Sequence, residues 1–143
     1  MNEAFFRRKR LALSCKGGHV LVHAAEKKAA EISVPECIAV VDAGGELLAF
    51  SRMDDARPGS IEIAITKARS AARRRRPTAE EAGGDPMAGL RIALASQLNV
   101  TQIAGGLPIV VDGQVIGGIG VSSGTSDEDV IVAQAGIEAL LNG

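Results

Sequence analysis

Aromatic residues are almost absent from this sequence, with three Phe and neither Tyr nor Trp among 143 residues. Proteins that hold single-stranded nucleic acid stack its bases on aromatic side chains, so this class of binder is not expected. The formal net charge is −1, from 16 basic and 17 acidic side chains. A chain this close to neutral has no overall positive field to attract DNA, RNA or an anionic membrane. We therefore expect neither a nucleic acid nor a membrane as a partner.

Cysteine and long apolar runs are also scarce. Cys15 and Cys37 are the only two cysteines and are not spaced as C-x-x-C, so neither a disulfide framework nor a zinc ribbon is indicated. The apolar runs are far shorter than the roughly 20 residues of a membrane-spanning helix. The N-terminus is basic from Arg7 to Arg10 but has no apolar segment typical of a secretory signal. These absences predict a cytoplasmic protein.

The length and composition fit one globular domain, with 46% hydrophobic and 23% charged residues. We divide the chain into a basic N-terminal arm, residues 1–10, and a single domain, residues 11–143. Seventeen glycines indicate close backbone packing and tight turns within that domain.

Hydrophobic periodicity and capping signals predict four helices. They cover about residues 14–32, 60–76, 85–98 and 126–141. Ser60 is the expected N-cap of the second helix, which a loop at residues 80–84 separates from the third. In the third helix, Leu90 and Leu94 are expected to face inward.

Extended segments alternate with these helices. They are predicted at residues 37–42, 46–51, 102–104, 107–111 and 114–121. The first is apolar almost throughout and is expected to be buried on both faces. Asp112-Gly113 between two apolar runs is a strong signal for a hairpin turn. Two hairpins separated by helices predict an α+β domain, with helices packed on one antiparallel sheet.

An ordered set of motifs resembles one known family. The motifs are Asp42-Ala-Gly-Gly45, Arg52-Met53-Asp54, Ser60, Lys67-Ala68-Arg69, Gly105-Gly106-Leu-Pro108 and the run from Val115 to Ser122. In this order they resemble the GlcG/HbpS-like family, often labelled haem-binding or haem-degrading, which also supplies the C-terminal domain of some cobalamin adenosyltransferases. The similarity extends over about residues 11–141.

The resemblance implies a profilin-like three-layer α/β/α fold with a five-stranded antiparallel sheet. It also implies homo-oligomers, from dimers to octamers, with ligand sites at or near the subunit contacts. Some relatives bind haem and others belong to catabolic operons without a settled role, so haem is a candidate cofactor. A haem-ligating histidine in the first helix of some members corresponds in position to Lys28.

Three glycines within one strand, Gly117, Gly118 and Gly120, are costly unless something packs directly on the backbone there. We interpret this bare backbone as the wall of a pocket for a flat or bulky ligand. Arg52 would clamp a carboxylate of the ligand through a bidentate contact, and Lys67 would help to neutralise its charge.

Lys67, Asp54 and Lys28 are candidate catalytic residues. Lys28 lies within the apolar side of the first helix, where it could act as a base or Schiff-base amine, or extend its ammonium group to solvent. Asp54 and Lys67 could move a proton or form a structural ion pair. Gly105 and Gly106 could present N–H groups to an anion or an enolate oxygen, or only turn the chain.

His19 and His23 are a candidate metal site, because a spacing of four puts two imidazoles on one helix face, with Glu26 nearby. Both project away from the apolar face, so without a partner subunit over them they are solvated surface groups. The basic run from Arg73 to Arg76 is interpreted as a solvated helix end or a subunit contact.

The leading hypothesis is a cytoplasmic homo-oligomeric protein that binds a small ligand, either haem or another carboxylate-bearing molecule. A second hypothesis is a cofactor-independent enzyme, an isomerase, tautomerase or lyase, acting on a small oxygenated metabolite. A third is an accessory subunit of another enzyme. Saturable hemin binding that depends on Arg52 would favour the first, and turnover that depends on Lys67 would favour the second.

Overall fold

The computed structural model describes residues 1–7, 10–79 and 84–143. Residues 80–83 of the predicted loop, and Arg8 and Lys9 of the predicted arm, lie outside the described residues. The elements are a 3-10 helix at Glu3–Phe5, α1 at Cys15–Glu31, β1 at Cys37–Asp42, β2 at Leu47–Arg52, α2 at Ser60–Arg74, α3 at Ala88–Ala95, β3 at Gly106–Val111, β4 at Gln114–Ser122 and α4 at Ser126–Asn142.

The strands form one antiparallel sheet in the order β2-β1-β4-β3. Helices α1 and α4 pack on one face of the sheet and α2 packs on the other. The predicted α+β class is confirmed, but five strands is wrong, because the described residues contain four. The expected strand at residues 102–104 pairs with no other strand. Instead, the N–H of Ile103 donates to Thr101 Oγ1 at 3.1 Å, and the Ile103 side chain is exposed.

Side-chain caps fix where two of the long helices begin. Ser14 Oγ accepts a backbone N–H of the first turn of α1. Thr125 and Glu128 form a reciprocal capping box at the start of α4. The predicted cap at Ser60 is wrong, since Ser60 is already helical and buried, and Gly59 precedes α2 without a side-chain bond.

The sheet separates two apolar cores. In β1, Ile38 and Val40 face α1 and α4, whereas Cys37, Ala39 and Val41 face α2. All five side chains are fully buried, which confirms that this strand is covered on both faces. The core under α2 is built mainly from alanines, so α2 approaches the sheet closely.

Helix α3 belongs to neither core. Leu90 and Leu94 are 50% and 63% exposed, so the expectation that they face inward is wrong. The physical reason is that α1, α4 and α2 already cover both faces of the sheet. The sequence shows the helical periodicity of α3. It does not show that both faces of the sheet are covered by other helices.

The glycines of β4 face backbone atoms rather than an open pocket. A Cβ atom at Gly118 would collide with the carbonyl oxygen of Ala68 in α2, and one at Gly120 with that of Ala64. A Cβ atom at Gly117 would collide with a carbonyl oxygen of β1. The missing side chains let α2 lie directly on the strand, so the expected hollow for a ligand at these three glycines is wrong.

We expect Gly120→Ala to lower the free energy of unfolding by about 1–3 kcal/mol, because the new methyl group would push α2 away from β4. Equilibrium unfolding in urea measures this change. Gly59→Ala is the matched control, since its Cβ would meet no atom within 4 Å and its φ of −62° suits alanine. Equal midpoints for the two variants would contradict close packing at Gly120.

Candidate functional site

The antiparallel topology brings four chain segments together at one end of the sheet. Strands β1 and β3 begin at this end, and β2 and β4 finish there. The residue pairs Cys37–Arg52, Cys37–Ser122 and Gly106–Gly120 fix the arrangement. We call this end of the sheet the site end, because Arg52, Asp54 and Lys67, three of the polar residues singled out in the sequence, lie there.

Lys67 is buried at the site end and forms an ion pair. Its side chain is 1% exposed, and its Nζ donates to Asp129 Oδ2 at 2.8 Å and to the carbonyl oxygen of Val121 at 2.7 Å. The close approach of Lys67 requires glycine at position 105, where a Cβ atom would lie 2.8 Å from the Lys67 Nζ and where φ is +123°. Lys67 therefore acts as a fixed internal cation.

Glu36 lies beside this ion pair and is completely buried. Its Oε2 and the Oδ1 of Asp129 both accept the N–H of Gly124, each at 3.0 Å, while Oε1 has no donor. Burial, together with the negative charge of Asp129, raises the pKa of Glu36 from 4.5 to about 8. The Glu36 carboxyl group therefore keeps its proton at neutral pH and donates a hydrogen bond to Asp129.

We call Glu36, Lys67 and Asp129 the buried cluster. At pH 7 it contains one cation, one carboxylate and one protonated carboxyl group, so it is neutral as a whole. This balance explains how three ionisable groups can share an interior. Because Lys67 and Asp129 are only 1% and 2% exposed, the cluster presents no atom to a ligand at the surface.

The sequence identified only part of this cluster. Lys67 was singled out, but the ion pair with Asp54, one of the two alternatives for these residues, is wrong, because Asp54 is exposed and Lys67 pairs with Asp129. Neither Asp129 nor Glu36 was singled out as a site residue from the sequence. One available signal was the position of Glu36, an acid directly before a strand that is buried on both faces.

A cavity of about 530 Å³ opens beside the buried cluster, in the connection from β2 to α2. We call it the arginine cavity. It is lined by Arg52, Met53, Asp54, Asp55, Ala56, Arg57 and Pro58. Among the described residues, the Arg52 guanidinium has no hydrogen-bond or ion-pair partner. An exposed arginine without a partner at a cavity is available to bind a carboxylate.

Arg57 is held in place on the turn that leads to the buried cluster. Its N–H donates to Ser123 Oγ at 3.1 Å, and its Nη2 donates to the Ser123 carbonyl oxygen at 3.0 Å. Ser123 has a φ of +121°, a strained conformation for a residue with a side chain. The next residue, Gly124, donates to both carboxyl groups of the cluster. The arginine cavity and the buried cluster therefore share one turn.

A second cavity, of about 640 Å³, lies between α1 and α4. Lys28 contributes to it from α1, and the rest of its lining comes from α4. The Lys28 side chain is 37% exposed, with its Nζ 3.8 Å from Glu31 Oε2. Lys28 thus reaches the surface, as expected for a lysine at the edge of an apolar face.

Lys28, Asp54 and Lys67 occupy three separate environments. Lys28 lines the groove between α1 and α4, Asp54 lines the arginine cavity, and Lys67 lines neither. The Nζ of Lys67 is already used by two acceptors. The three candidate catalytic residues therefore do not form one acid–base site within a single chain.

Gly105 and Gly106 face their own chain. The N–H of Gly106 donates to Thr78 Oγ1 at 2.8 Å, and its carbonyl oxygen accepts the N–H of Thr78. The carbonyl oxygen of Gly105 accepts from Val121. The Gly106 N–H is therefore not available to an anion. The anion site, one of the two alternatives for this glycine pair, is wrong at Gly106. Lys67 fills the space next to both glycines, and Thr78 lies next to Gly106.

His19 and His23 are exposed on α1, with ring centroids 6.3 Å apart. His23 Nδ1 lies 3.9 Å from Glu26 Oε2. Within the described ranges, no three His, Cys, Asp or Glu side chains come close enough together to hold a metal ion. The predicted metal site thus gains no third ligand from the part of the chain that the structure describes.

No helix among the described residues is both long and apolar enough to span a membrane.

Comparison with known proteins agrees with the fold. A family model described as haem degrading protein HbpS-like matches residues 13–138. The chain is 40% identical to protein GlcG of Escherichia coli (strain K12) over 114 residues, which are 79% of this chain and 83% of GlcG.

Two crystal structures share this architecture along nearly their whole length. The Klebsiella pneumoniae protein ORFY is 33% identical, with a TM-score of 0.85 over 95% of this chain and 96% of ORFY. The PduOC:heme complex is 34% identical, with a TM-score of 0.80 over 90% of this chain and 95% of PduOC. Sequence and architecture agree over most of the chain, which therefore belongs to the HbpS-like family.

Proposed function

We propose that this protein is a cytoplasmic homo-oligomer that binds a small carboxylate-bearing ligand in the arginine cavity, with haem as the first candidate. The observation that carries this proposal is the guanidinium of Arg52, which lies at a cavity of about 530 Å³ and has no hydrogen-bond or ion-pair partner among the residues that the structure describes. An arginine binds a carboxylate through two parallel hydrogen bonds, which gives both affinity and orientation.

The charges of the arginine cavity define the kind of ligand that fits. Arg52 and Arg57 are balanced by Asp54 and Asp55, so the cavity has no net charge. It does not attract polyanions from a distance, and it selects a carboxylate by direct contact instead. Because Arg57 is already held by Ser123, Arg52 is the residue that changes most on binding.

Haem fits this cavity only in part. Its two propionates match two arginines, but haem iron takes His, Cys, Met or Tyr as its axial ligand. Met53 is the only such residue in the lining, and it packs against the core under α1 and α4. His19 and His23 line neither described cavity. The residues present thus fit the carboxylates of haem and do not fit its iron.

Two comparisons support haem as the first ligand to test. The family model is described as haem degrading, and PduOC was crystallised as a complex with haem. The separation of Lys28, Asp54 and Lys67 gives no comparable support to a cofactor-independent enzyme. Ligand binding is therefore the function that the geometry supports best.

Arg52→Ala is expected to weaken hemin binding by about 10–100-fold, the range for a lost hydrogen bond to a charged group. Titration of the protein with hemin, followed by the saturable Soret shift, gives the dissociation constant. Arg10→Ala is the matched control, because Arg10 is exposed and lies outside the arginine cavity. An unchanged constant in Arg52→Ala would overturn the proposed site.

Hemin dimethyl ester separates carboxylate recognition from apolar adsorption. The ester lacks the two carboxylates, so its binding to the wild type should be weak and should not change in Arg52→Ala. If the ester binds as tightly as hemin, the carboxylates are not recognised. If neither compound saturates while a simple dicarboxylate binds in an Arg52-dependent way, the cavity binds carboxylates and haem is not the ligand.

A further inference from the structure

Glu36 and Asp129 bring two carboxyl groups to one cation and one shared N–H. Both accept the N–H of Gly124 at 3.0 Å, whereas Lys67 Nζ donates to Asp129. Among the described residues, Glu36 Oε1 accepts from no donor, although it is buried. Two buried carboxyl groups that share a donor do not ionise together, so one of them retains a proton. The oxygen without a donor identifies Glu36 as that group.

The backbone of Glu36 connects the buried cluster to one side of the arginine cavity. Its carbonyl oxygen accepts the N–H of Met53 at 3.0 Å. The next residue, Cys37, pairs with Arg52 across β1 and β2. Met53 and Arg52 both line the cavity. Glu36 therefore lies directly behind the strand end that carries the ligand-binding arginine.

The side chain of Glu36 connects to the other side of the cavity through the turn at Ser123 and Gly124. Gly124 is tightly confined, since a Cβ atom there would lie 2.6 Å from Glu36 Oε1 and 3.0 Å from Asp129 Oδ1. Ser123 accepts two hydrogen bonds from Arg57, which lines the cavity. A change in the spacing of the two carboxyl groups is therefore transmitted through this turn to Arg57.

We propose that the arginine cavity binds carboxylates in a proton-linked manner, with Glu36 as the internal switch. The ligand binds tightly while Glu36 carries its proton and weakly once that proton has been released to solvent. Binding to the ionised form therefore takes up a proton from solvent. This proposal rests on the proposed function, because it concerns the regulation of the same cavity. Glu36 is a positioning residue, since it is buried and touches no ligand.

Two effects of ionisation act in the same direction. The buried cluster changes from neutral to a net charge of −1, because Lys67 then faces two carboxylates. A negative charge behind the cavity wall opposes the approach of a carboxylate. The hydrogen bond from Glu36 to Asp129 is also replaced by repulsion between like charges. This repulsion strains the turn that holds Arg57, so both effects weaken ligand binding.

Glu36 is the group whose charge changes most between pH 7 and pH 9, because its pKa is raised to about 8. The charged groups that act on it are Asp129 of α4 and Lys67 of α2, which form the buried ion pair. Burial raises the pKa of the adjacent Cys37 thiol, although the charge of Arg52 lowers it. The thiol thus stays mostly neutral in this range, and an arginine keeps its charge.

The test is the pH dependence of succinate binding to the full chain, measured by isothermal titration calorimetry at about pH 7 and about pH 9. Succinate is doubly ionised at both values, so the ligand itself does not titrate. The dissociation constant of the wild type should rise by about 5–10-fold, since the protonated fraction of Glu36 falls about tenfold across this range. Hemin replaces succinate if succinate does not saturate, and the wild type is then compared with Glu36→Gln at each pH.

Glu36→Gln keeps a neutral side chain of the same shape at both pH values, so its dissociation constant should remain nearly constant. Glu31→Gln is the matched control, because Glu31 is exposed on α1, and it should retain the wild-type change. A further measurement needs no variant. At about pH 8 the binding enthalpy of the wild type should depend on the ionisation enthalpy of the buffer, because binding takes up a fraction of a proton. A purely structural role of Glu36 would not produce this dependence.

Each outcome decides a different point. Saturable, Arg52-dependent binding with equal dissociation constants at both pH values and no proton uptake would overturn the linkage and leave the proposed function intact. An equal loss of affinity in the wild type and in Glu36→Gln would overturn the role of Glu36. If neither succinate nor hemin saturates at either pH, the proposed function fails and the linkage fails with it. Should Glu36→Gln not fold, as judged by circular dichroism, the absence of proton uptake by the wild type would still overturn the linkage.

Discussion

Lys67→Met is expected to lower the free energy of unfolding by about 3–5 kcal/mol at pH 7, the cost of leaving a buried charge without its partner. Methionine retains the apolar length of the lysine side chain, so the change removes mainly the cation. Asp129 would then share the interior with Glu36 without any positive charge to balance it. Urea unfolding monitored by circular dichroism gives the difference.

Two controls separate the charge from the loss of packing. Lys28→Met removes a lysine at the surface of α1, 37% exposed, and should change stability by less than about 0.5 kcal/mol. Adding Asp129→Asn to Lys67→Met should recover part of the loss, because the stranded carboxylate is removed with its partner. Equal effects of the two lysine substitutions would show that the buried ion pair contributes no more than a surface lysine.

Stability is expected to fall as the pH rises from about 4.5 to about 8, on the order of 5 kcal/mol in total. The folded protein holds a proton on Glu36, whose pKa is raised to about 8, whereas the unfolded chain releases it near pH 4.5. Unfolding within this window therefore releases a proton, and a higher pH favours it. The contribution is fully present below pH 4.5 and is lost by the time the pH has passed 8.

Glu36→Gln tests the origin of this pH dependence. Glutamine cannot ionise and has nearly the same shape, so the slope of unfolding free energy against pH should become nearly flat in this window. Glu31→Gln, an exposed residue of α1, should retain the wild-type slope. Because Glu36 and Asp129 are coupled, the midpoint belongs to the pair. An identical slope in Glu36→Gln and wild type would refute a protonated Glu36.

The sequence predicts those parts of the fold that depend on local signals. The apolar run of β1 and the turn at Asp112-Gly113 each identify an element from adjacent residues, and the structure contains both. The order of helices and hairpins also predicts an antiparallel sheet with helices packed on it. Local chemistry therefore accounts for the class of fold and for most element positions.

The errors arise where distant segments decide the outcome. The glycines of β4 indicate that something approaches the backbone, but a ligand and a helix give the same signal, and α2 occupies the space. Leu90 and Leu94 have helical spacing, but periodicity does not show which side the core is on. Asp129 and Glu36 meet only after the sheet has formed, so no spacing in the sequence indicates their contact.

The contact of α2 with the glycines of β4 affects ligand binding at the arginine cavity. The backbones of α2 and β4 are in direct contact there, so α2 cannot shift without a clash. The segment that leads into α2 therefore ends at a helix whose position is fixed. Arg57 belongs to this segment and is also held by its hydrogen bond to the Ser123 carbonyl oxygen. A ligand would therefore bind to a preorganised site. The main entropic cost of binding would be the ordering of one side chain, that of Arg52.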